Sequence, residues 1–225
     1  MRDQSISDGL EAAVRDSSLQ NTTAALAEVA LDAVIQDGVL QDLPIIGSLL
    51  GIGRAALTIR DRVFINKLRH LLNEVVEVPA EQRQEMIDEI NQSEEFSIKV
   101  GEKLIYIVDR CEDHQASSVV GRLFKAFLEG SLLYSDFLRL TSVVDRLHFD
   151  DLMTFAHSEW EHCGAEEATP YLGSGLVELN QLDIRIEDQW DWKASSKYIV
   201  EGGQVTASLT MLGRELRGVL GKKKK

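Results

Sequence analysis

The sequence predicts a mainly α-helical protein, with a helical bundle followed by a small α+β module. Apolar residues recur at three- and four-residue spacing through most of the first 147 residues, as on the buried face of a helix. After His148 the pattern changes, and short runs alternate apolar and polar residues, as strands do. With 44% apolar and 27% charged residues, the 225-residue chain has the composition of a globular protein.

The overall composition disfavours several classes of protein. The 24 basic and 37 acidic residues give a net charge of −13, whereas a generic nucleic-acid binder needs a basic surface. Two cysteines are too few for a disulfide scaffold, and the acidic N-terminus does not resemble a secretory signal. No run of 18 uncharged apolar residues is present. We therefore expect a cytoplasmic protein, with peripheral binding at the inner membrane face as an alternative.

The chain is predicted to have four consecutive parts. Residues 1–79 form N-terminal helices, and residues 80–147 form a helical bundle with short, antiparallel connections. Residues 148–221 form the α+β module, and residues 222–225 are a lysine tail. Pro79 ends the first part, because proline disfavours helical geometry in the residue before it.

The first part begins with a predicted helical region over residues 8–36, which Asn21–Thr23 would cap at the start of its second half. A glycine-rich apolar segment follows over residues 43–58. Gly47 and Gly51 in this segment are four residues apart, so on a helix they would share a face and allow another helix to approach closely.

A basic helix follows the glycine-rich segment, since residues 51–70 contain five basic residues and one acidic residue. We consider three interpretations of residues 43–70: a buried helical hairpin, a surface for self-association or partner contact, and an element that inserts at an anionic membrane. The candidate contact residues are Gly47, Gly51, Gly53, Arg54, Arg60, Arg62, Lys67 and Arg69.

Helical periodicity continues over residues 81–92, 96–110, 117–129 and 135–147. In the α+β module, a helix over residues 149–161 precedes alternating runs that predict strands. A Gly202-Gly203 turn and a final helix from Met211 to Leu220 complete the prediction.

This order resembles a winged-helix module over roughly residues 133–221. The resemblance rests on Leu172-Gly-Ser-Gly-Leu-Val-Glu-Leu, on the hairpin, and on Leu209-Thr-Met-Leu-Gly-Arg-Glu-Leu leading into the last helix. The recognition-helix region would be Ala165–Gly175, which contains Glu166 and Glu167 but no lysine or arginine. A winged helix that contacts protein rather than DNA is therefore implied.

Acidic residues dominate residues 148–192, where 11 of them accompany the single basic residue Arg185. This region predicts an acidic surface for a partner with a basic surface. Its candidate contact residues are Glu166, Glu167, Trp190 and Trp192. The glycine-rich segment with its basic helix also resembles the N-terminal half of uncharacterised bacterial helical proteins, which implies no activity.

The sequence predicts no catalytic residue, metal or cofactor. Phosphate-binding and nucleophile motifs are not found, and the histidines and cysteines (Cys111, His114, His157, His162 and Cys163) lack the spacing of a zinc site. We expect a non-enzymatic interaction or regulatory component that self-associates. One alternative is a membrane-perturbing effector of bacterial defence that acts through residues 43–70. A second is a winged-helix DNA-binding regulator that uses Arg214, Arg217 and the lysine tail.

Overall fold

The computed structural model describes residues 2–31, 58–180, 184–188, 198–203 and 205–221. The chain divides into two compact units, Met1–Phe149 (unit 1) and Asp150–Lys225 (unit 2). Unit 1 is helical where it is described, and unit 2 combines helices with short antiparallel strands. The prediction of a mainly α protein, with a helical bundle and a small α+β module, is confirmed. Among the described residues, every helix is too short or too polar to cross a bilayer.

The described helices of unit 1 follow one another through short connections, apart from the interval between α2 and α3. They are α1 (Arg2–Arg15), α2 (Leu19–Leu31), α3 (Ile59–Val75), α4 (Ala80–Gln92), α5 (Val100–Arg110), α6 (His114–Leu128) and α7 (Tyr134–Arg146). The break between α1 and α2 lies at residues 16–18, earlier than the expected cap at Asn21–Thr23. The Asp16 carboxylate accepts hydrogen bonds from the backbone N (2.6 Å) and Oγ (2.8 Å) of Ser18, and such local bonds compete with helix formation.

Helices α3 and α6 pack with their backbones close together. At Gly121 of α6 a Cβ atom would lie 2.7 Å from the Leu71 carbonyl oxygen of α3, so the position has no room for a side chain. One turn earlier, the fully buried Ser117 donates a hydrogen bond of 2.6 Å from its Oγ to the Lys67 carbonyl oxygen. Helix α6 therefore covers one side of α3 at close range.

An aromatic cluster joins α6 to α7. The rings of Phe124 and Phe137 lie 5.5 Å apart, and those of Phe127 and Tyr134 lie 5.1 Å apart. All four side chains are buried, and burial raises the pKa of the Tyr134 phenol to about 12. Burying a side chain such as phenylalanine stabilises the fold by roughly 1.5–3 kcal/mol, so this cluster anchors α7 to the bundle.

A buried arginine ties three segments of unit 1 together. Arg83 of α4 is 2% exposed, and its guanidinium donates to the carbonyl oxygens of Val78 (2.6 Å), Val75 (3.4 Å) and Asp16. These acceptors lie at the C-terminus of α3 and in the turn after α1. Burial lowers the pKa of Arg83, and backbone carbonyls replace part of the hydration that it loses.

Unit 2 places a three-stranded antiparallel sheet beside short helices. Its elements are α8 (Phe149–His157), β1 (His162–Gly164), α9 (Ala165–Ala168), a 3₁₀ turn (Thr169–Tyr171), β2 (Val177–Leu179), β3 (Ile184–Asp188), β4 (Tyr198–Gly202), β5 (Thr206–Leu209) and α10 (Met211–Leu220). In the sheet, β5 lies between β1 and β2, with Ala207 opposite both Cys163 and Leu179. Strands β3 and β4 form a separate two-stranded hairpin with Ile186 opposite Val200.

Arg217 organises the core edge of unit 2. Its guanidinium carbon lies 4.4 Å from the ring centre of Trp160 and 4.8 Å from that of Phe155. The same group donates to the carbonyl oxygens of Trp160 (2.6 Å) and Phe155 (3.3 Å) and to Ser158 Oγ (2.6 Å). Arg217 therefore neutralises the C-terminal end of α8 and fixes the loop that leads to β1.

Candidate functional site

The predicted contact residues divide between described and undescribed parts of the chain. Gly47, Gly51, Gly53, Arg54, Trp190 and Trp192 lie outside the described residues. Arg60, Arg62, Lys67 and Arg69 all lie on α3, and Glu166 and Glu167 lie on α9. Most of the described candidate residues therefore belong to α3.

A capping box fixes the start of α3. The Thr58 Oγ1 accepts a hydrogen bond from the Asp61 backbone N at 3.1 Å, and the Asp61 carboxylate accepts one from the Thr58 backbone N at 2.9 Å. This reciprocal pair satisfies two donors that would otherwise lack a partner at the helix end. The capping box therefore fixes where α3 begins, and with it the positions of Arg60 and Arg62 on the helix.

The start of α3 presents apolar and basic side chains to solvent. Ile59 is 83% exposed and Val63 is 50% exposed, and their four-residue spacing places them on the same side of the helix. The side chain of Arg60 is 87% exposed and makes a long contact of 3.8 Å with the Asp109 carboxylate. We call Ile59, Arg60 and Val63 the α3 face.

A groove of about 350 Å³ lies next to the α3 face, between α2 and α3. Its lining residues are Ala27, Ala30, Arg62, Val63, Asn66 and Arg69. The Asn66 Oδ1 accepts two hydrogen bonds from Arg69, at 3.1 and 3.3 Å, which orient the guanidinium at the groove. The structure thus brings Arg62 and Arg69 to one concave surface with small apolar walls.

Lys67 has a different environment from the other three basic residues. It is 9% exposed, and its ammonium donates to the carbonyl oxygens of Cys111 and Asp109 at the C-terminal end of α5. A cation at this position compensates the partial negative charge of the helix end. Lys67 therefore directs its charge into the bundle.

A histidine pair lies one turn further along α3. The ring of His70 lies 4.7 Å from that of His114, at the start of α6. Arg69 Nη2 lies 2.7 Å from His70 Nε2, and since arginine can only donate, Nε2 accepts. The proton of the neutral ring is then assigned to Nδ1, which donates to Ser118 Oγ at 3.2 Å. Burial, and then the charges of Arg69 and His114, lower the pKa of His70.

The chemistry available around these groups is limited by their protonation. In the assigned tautomer His70 Nδ1 carries a proton, so it cannot take one from Ser118 as a general base would. Burial raises the pKa of the Cys111 thiol to about 11 and also raises that of Cys163, which disfavours the reactive thiolate at both. In the part of the chain that the structure describes, no three histidine, cysteine or acidic side chains converge as metal ligands.

Unit 2 presents the predicted acidic residues on the short helix α9. Glu166 and Glu167 are both exposed, and neither forms a salt bridge with another described residue. By contrast, Arg214 donates two hydrogen bonds to the Glu161 carboxylate, at 3.0 and 3.2 Å, and Arg217 is held against Trp160. The two arginines of the DNA-binding alternative are therefore engaged within unit 2.

Sequence reasoning missed the internal roles of Lys67, Arg83 and His70. The four-residue spacing of Phe64, Leu68 and Leu72 predicts one buried face for this helix, but α3 contacts α2, α5 and α6 and is enclosed on more than one side. Lys67 lies outside that face and is nevertheless buried for this reason. In the sequence, Lys67 stands next to Leu68, and this neighbour does not distinguish a buried lysine from an exposed one.

The fold and these surfaces define a mainly α protein with a basic and apolar face on α3 and an acidic surface on α9. No family model matches this chain, and no curated protein or solved structure matches it.

Proposed function

We propose that this chain is a protein-interaction or regulatory component, without catalytic activity of its own, which self-associates through the α3 face. The observation that carries the proposal is the exposure of Ile59 and Val63 beside Arg60. Adjacent exposed apolar side chains beside a cation have the composition of an interface centre, where aliphatic or aromatic groups are buried and arginine is enriched.

Replacing both apolar residues of the α3 face by glutamate tests the proposal. The full-length Ile59→Glu/Val63→Glu variant should have a lower mass than the wild type at concentrations at which the wild type forms a larger species. Burying two carboxylates in an apolar contact is unfavourable, so the dissociation constant should rise at least about a hundredfold. Sedimentation equilibrium over a range of protein concentrations measures the change.

Leu133→Glu is the matched control, because Leu133 is 69% exposed and lies at the start of α7, away from the α3 face. The control should associate as the wild type does. A wild type that remains monomeric at high micromolar concentration would contradict self-association. A double glutamate variant with unchanged mass would instead exclude this face as the contact.

We further infer that unit 2 is a winged-helix-like module that serves protein contact. The order β1–β5–β2 in the sheet, the β3–β4 hairpin and the closing helix α10 support the resemblance. The segment between β1 and β2 contains only a four-residue helix and a 3₁₀ turn, with two exposed glutamates. These carboxylates favour a basic protein surface over the DNA phosphates that a regulator would contact.

The membrane alternative depends mainly on residues 43–58, of which residues 43–57 lie outside the described residues. Repeating the mass measurement with anionic vesicles tests it directly. Vesicle binding that Ile59→Glu/Val63→Glu abolishes, together with a monomeric wild type, would replace self-association by membrane contact as the function of α3. Peripheral location at the inner membrane face remains a prediction of that alternative.

A further inference from the structure

A second groove lies in unit 1, between α5 and α7, with a volume of about 190 Å³. Its lining residues are Lys103, Tyr106, Ile107, Arg110, Leu138, Thr141, Ser142, Asp145 and Arg146. Ile107 is buried at 8% exposure, whereas Tyr106 stands 55% exposed. We call this the α5/α7 groove. It combines an apolar floor with a surface aromatic ring and three cations.

The cations of the α5/α7 groove have different partners. Arg110 donates to the Tyr106 hydroxyl at 2.9 Å and to the Asp145 carboxylate, so its charge is partly compensated. Lys103 Nζ lies 5.5 Å from the ring centre of Tyr106. Neither Lys103 nor Arg146 forms a salt bridge with another residue that the structure describes. Two cations thus remain available near an exposed tyrosine.

This composition suits a carboxylate-bearing protein surface. Tyrosine and arginine are enriched among the residues that contribute most to protein interfaces. The groove is smaller than the roughly 300–1,000 Å³ typical of small-molecule sites, so it is suited to one or two side chains. The side chains of Lys103 and Arg146 can make charge-assisted hydrogen bonds to carboxylates.

We propose that the α5/α7 groove binds Glu166 and Glu167 of a second copy of this chain. Charge complementarity supports this contact. Both glutamates are exposed and lack salt bridges among the described residues, and Lys103 and Arg146 in the groove also lack them. In a chain of net charge −13, a groove with excess positive charge favours an acidic surface over other parts of the same protein. The inference rests on the proposed self-association and assigns it a second contact.

A charge-exchange experiment on the full-length protein tests this contact. Lys103→Glu/Arg146→Glu should weaken self-association at least about tenfold, and Glu166→Lys/Glu167→Lys should do the same. When the two variants are mixed, the acidic groove of one faces the basic α9 of the other. Mixed association should recover to within about threefold of the wild type. Each affinity is measured by sedimentation equilibrium at low and at high salt, and higher salt should weaken the wild-type contact.

Lys99→Glu/Arg139→Glu is the matched control, because it changes the net charge equally at exposed positions outside the groove. Its association should be reduced by less than about threefold. Weakening in both charge variants without recovery on mixing would overturn the assignment, since it would indicate a general effect of charge. If the wild type associates and Ile59→Glu/Val63→Glu prevents this, but Lys103→Glu/Arg146→Glu has no effect, the groove inference fails while the α3 proposal stands.

Discussion

Lys67 shows how a single buried cation can connect two helices. Its ammonium reaches the last carbonyl groups of α5 from α3, and these are groups that the helix itself leaves without partners. Arg60, seven residues earlier on the same helix, has its side chain 87% exposed. The two residues have the same formal charge and opposite roles, because only one of them lies where another helix ends.

Lys67→Met should therefore destabilise the protein. The substitution keeps much of the apolar volume but leaves buried carbonyl oxygens unsatisfied, which costs about 1–3 kcal/mol in the free energy of unfolding. Arg60→Met, the control, should change it by less than about 0.5 kcal/mol. Urea denaturation followed by circular dichroism measures both. Equal losses in the two variants would show that the Lys67 contacts contribute little.

His70 makes unfolding dependent on pH. Its pKa in the folded chain lies below the usual value of 6.5, because burial and then the charges of Arg69 and His114 oppose protonation; Glu74 and Asp113 only partly compensate. As the pH falls through about 6.5, the unfolded chain binds a proton at this position before the folded chain does. By linkage, the free energy of unfolding must then decrease as the pH falls.

The variant His70→Gln removes this titration and retains polar atoms for Arg69 and Ser118. Between pH 7.5 and pH 5, the wild type should lose more stability than the variant does. Urea denaturation at several pH values provides the comparison, and the difference between the two slopes isolates His70 from the other titrating groups. Parallel pH dependences would show that His70 titrates normally in the folded protein.

At the scale of elements, small residues permit the closest helix contacts. Gly101 of α5 packs on α1, where a Cβ atom would lie 2.6 Å from the Ser7 carbonyl oxygen, and Gly121 of α6 packs on α3 in the same way. The sequence predicts close packing at Gly47 and Gly51, which lie outside the described residues. A glycine in a helix costs up to about 1 kcal/mol relative to alanine, and here the contact between helices offsets that cost.

Two glycine-to-alanine substitutions should therefore have opposite effects. Gly121→Ala would place Cβ 2.7 Å from a backbone oxygen, so α3 and α6 must separate, and we expect a net loss of about 1–2 kcal/mol in unfolding free energy. Gly218→Ala in α10 meets no atom within 4 Å and should stabilise by up to about 1 kcal/mol. Urea denaturation measures both signs. Stabilisation by Gly121→Ala would contradict the packing described for α3 and α6.

The helices themselves were largely predictable, because their apolar periodicity is local. Residues 81–92 were predicted to be helical and form α4 (Ala80–Gln92), and the final helix was predicted with the bounds that α10 has, Met211–Leu220. The break after α1 was misplaced. It depends on whether Asp16 bonds to the neighbouring Ser18 backbone or the helix continues, and periodicity does not decide this.

At the scale of the whole molecule, the two proposed contacts differ in kind. The α3 face can pair with itself, whereas the α5/α7 groove requires the acidic α9 surface of another copy. An assembly that uses both contacts can grow beyond a dimer, and the groove contact should be the more sensitive to salt. The mass at low and at high ionic strength therefore distinguishes the contributions of the two surfaces.

The sequence by itself determined the mainly α class, the change to short strands after residue 148 and the uneven distribution of charge. Each of these depends on residues that are close together along the chain. Only the tertiary structure decided which cations face solvent. Arg60 is exposed, Arg69 lines the groove between α2 and α3, and Lys67 is buried. Burial depends on which helices pack around α3, and those neighbours come from distant parts of the sequence.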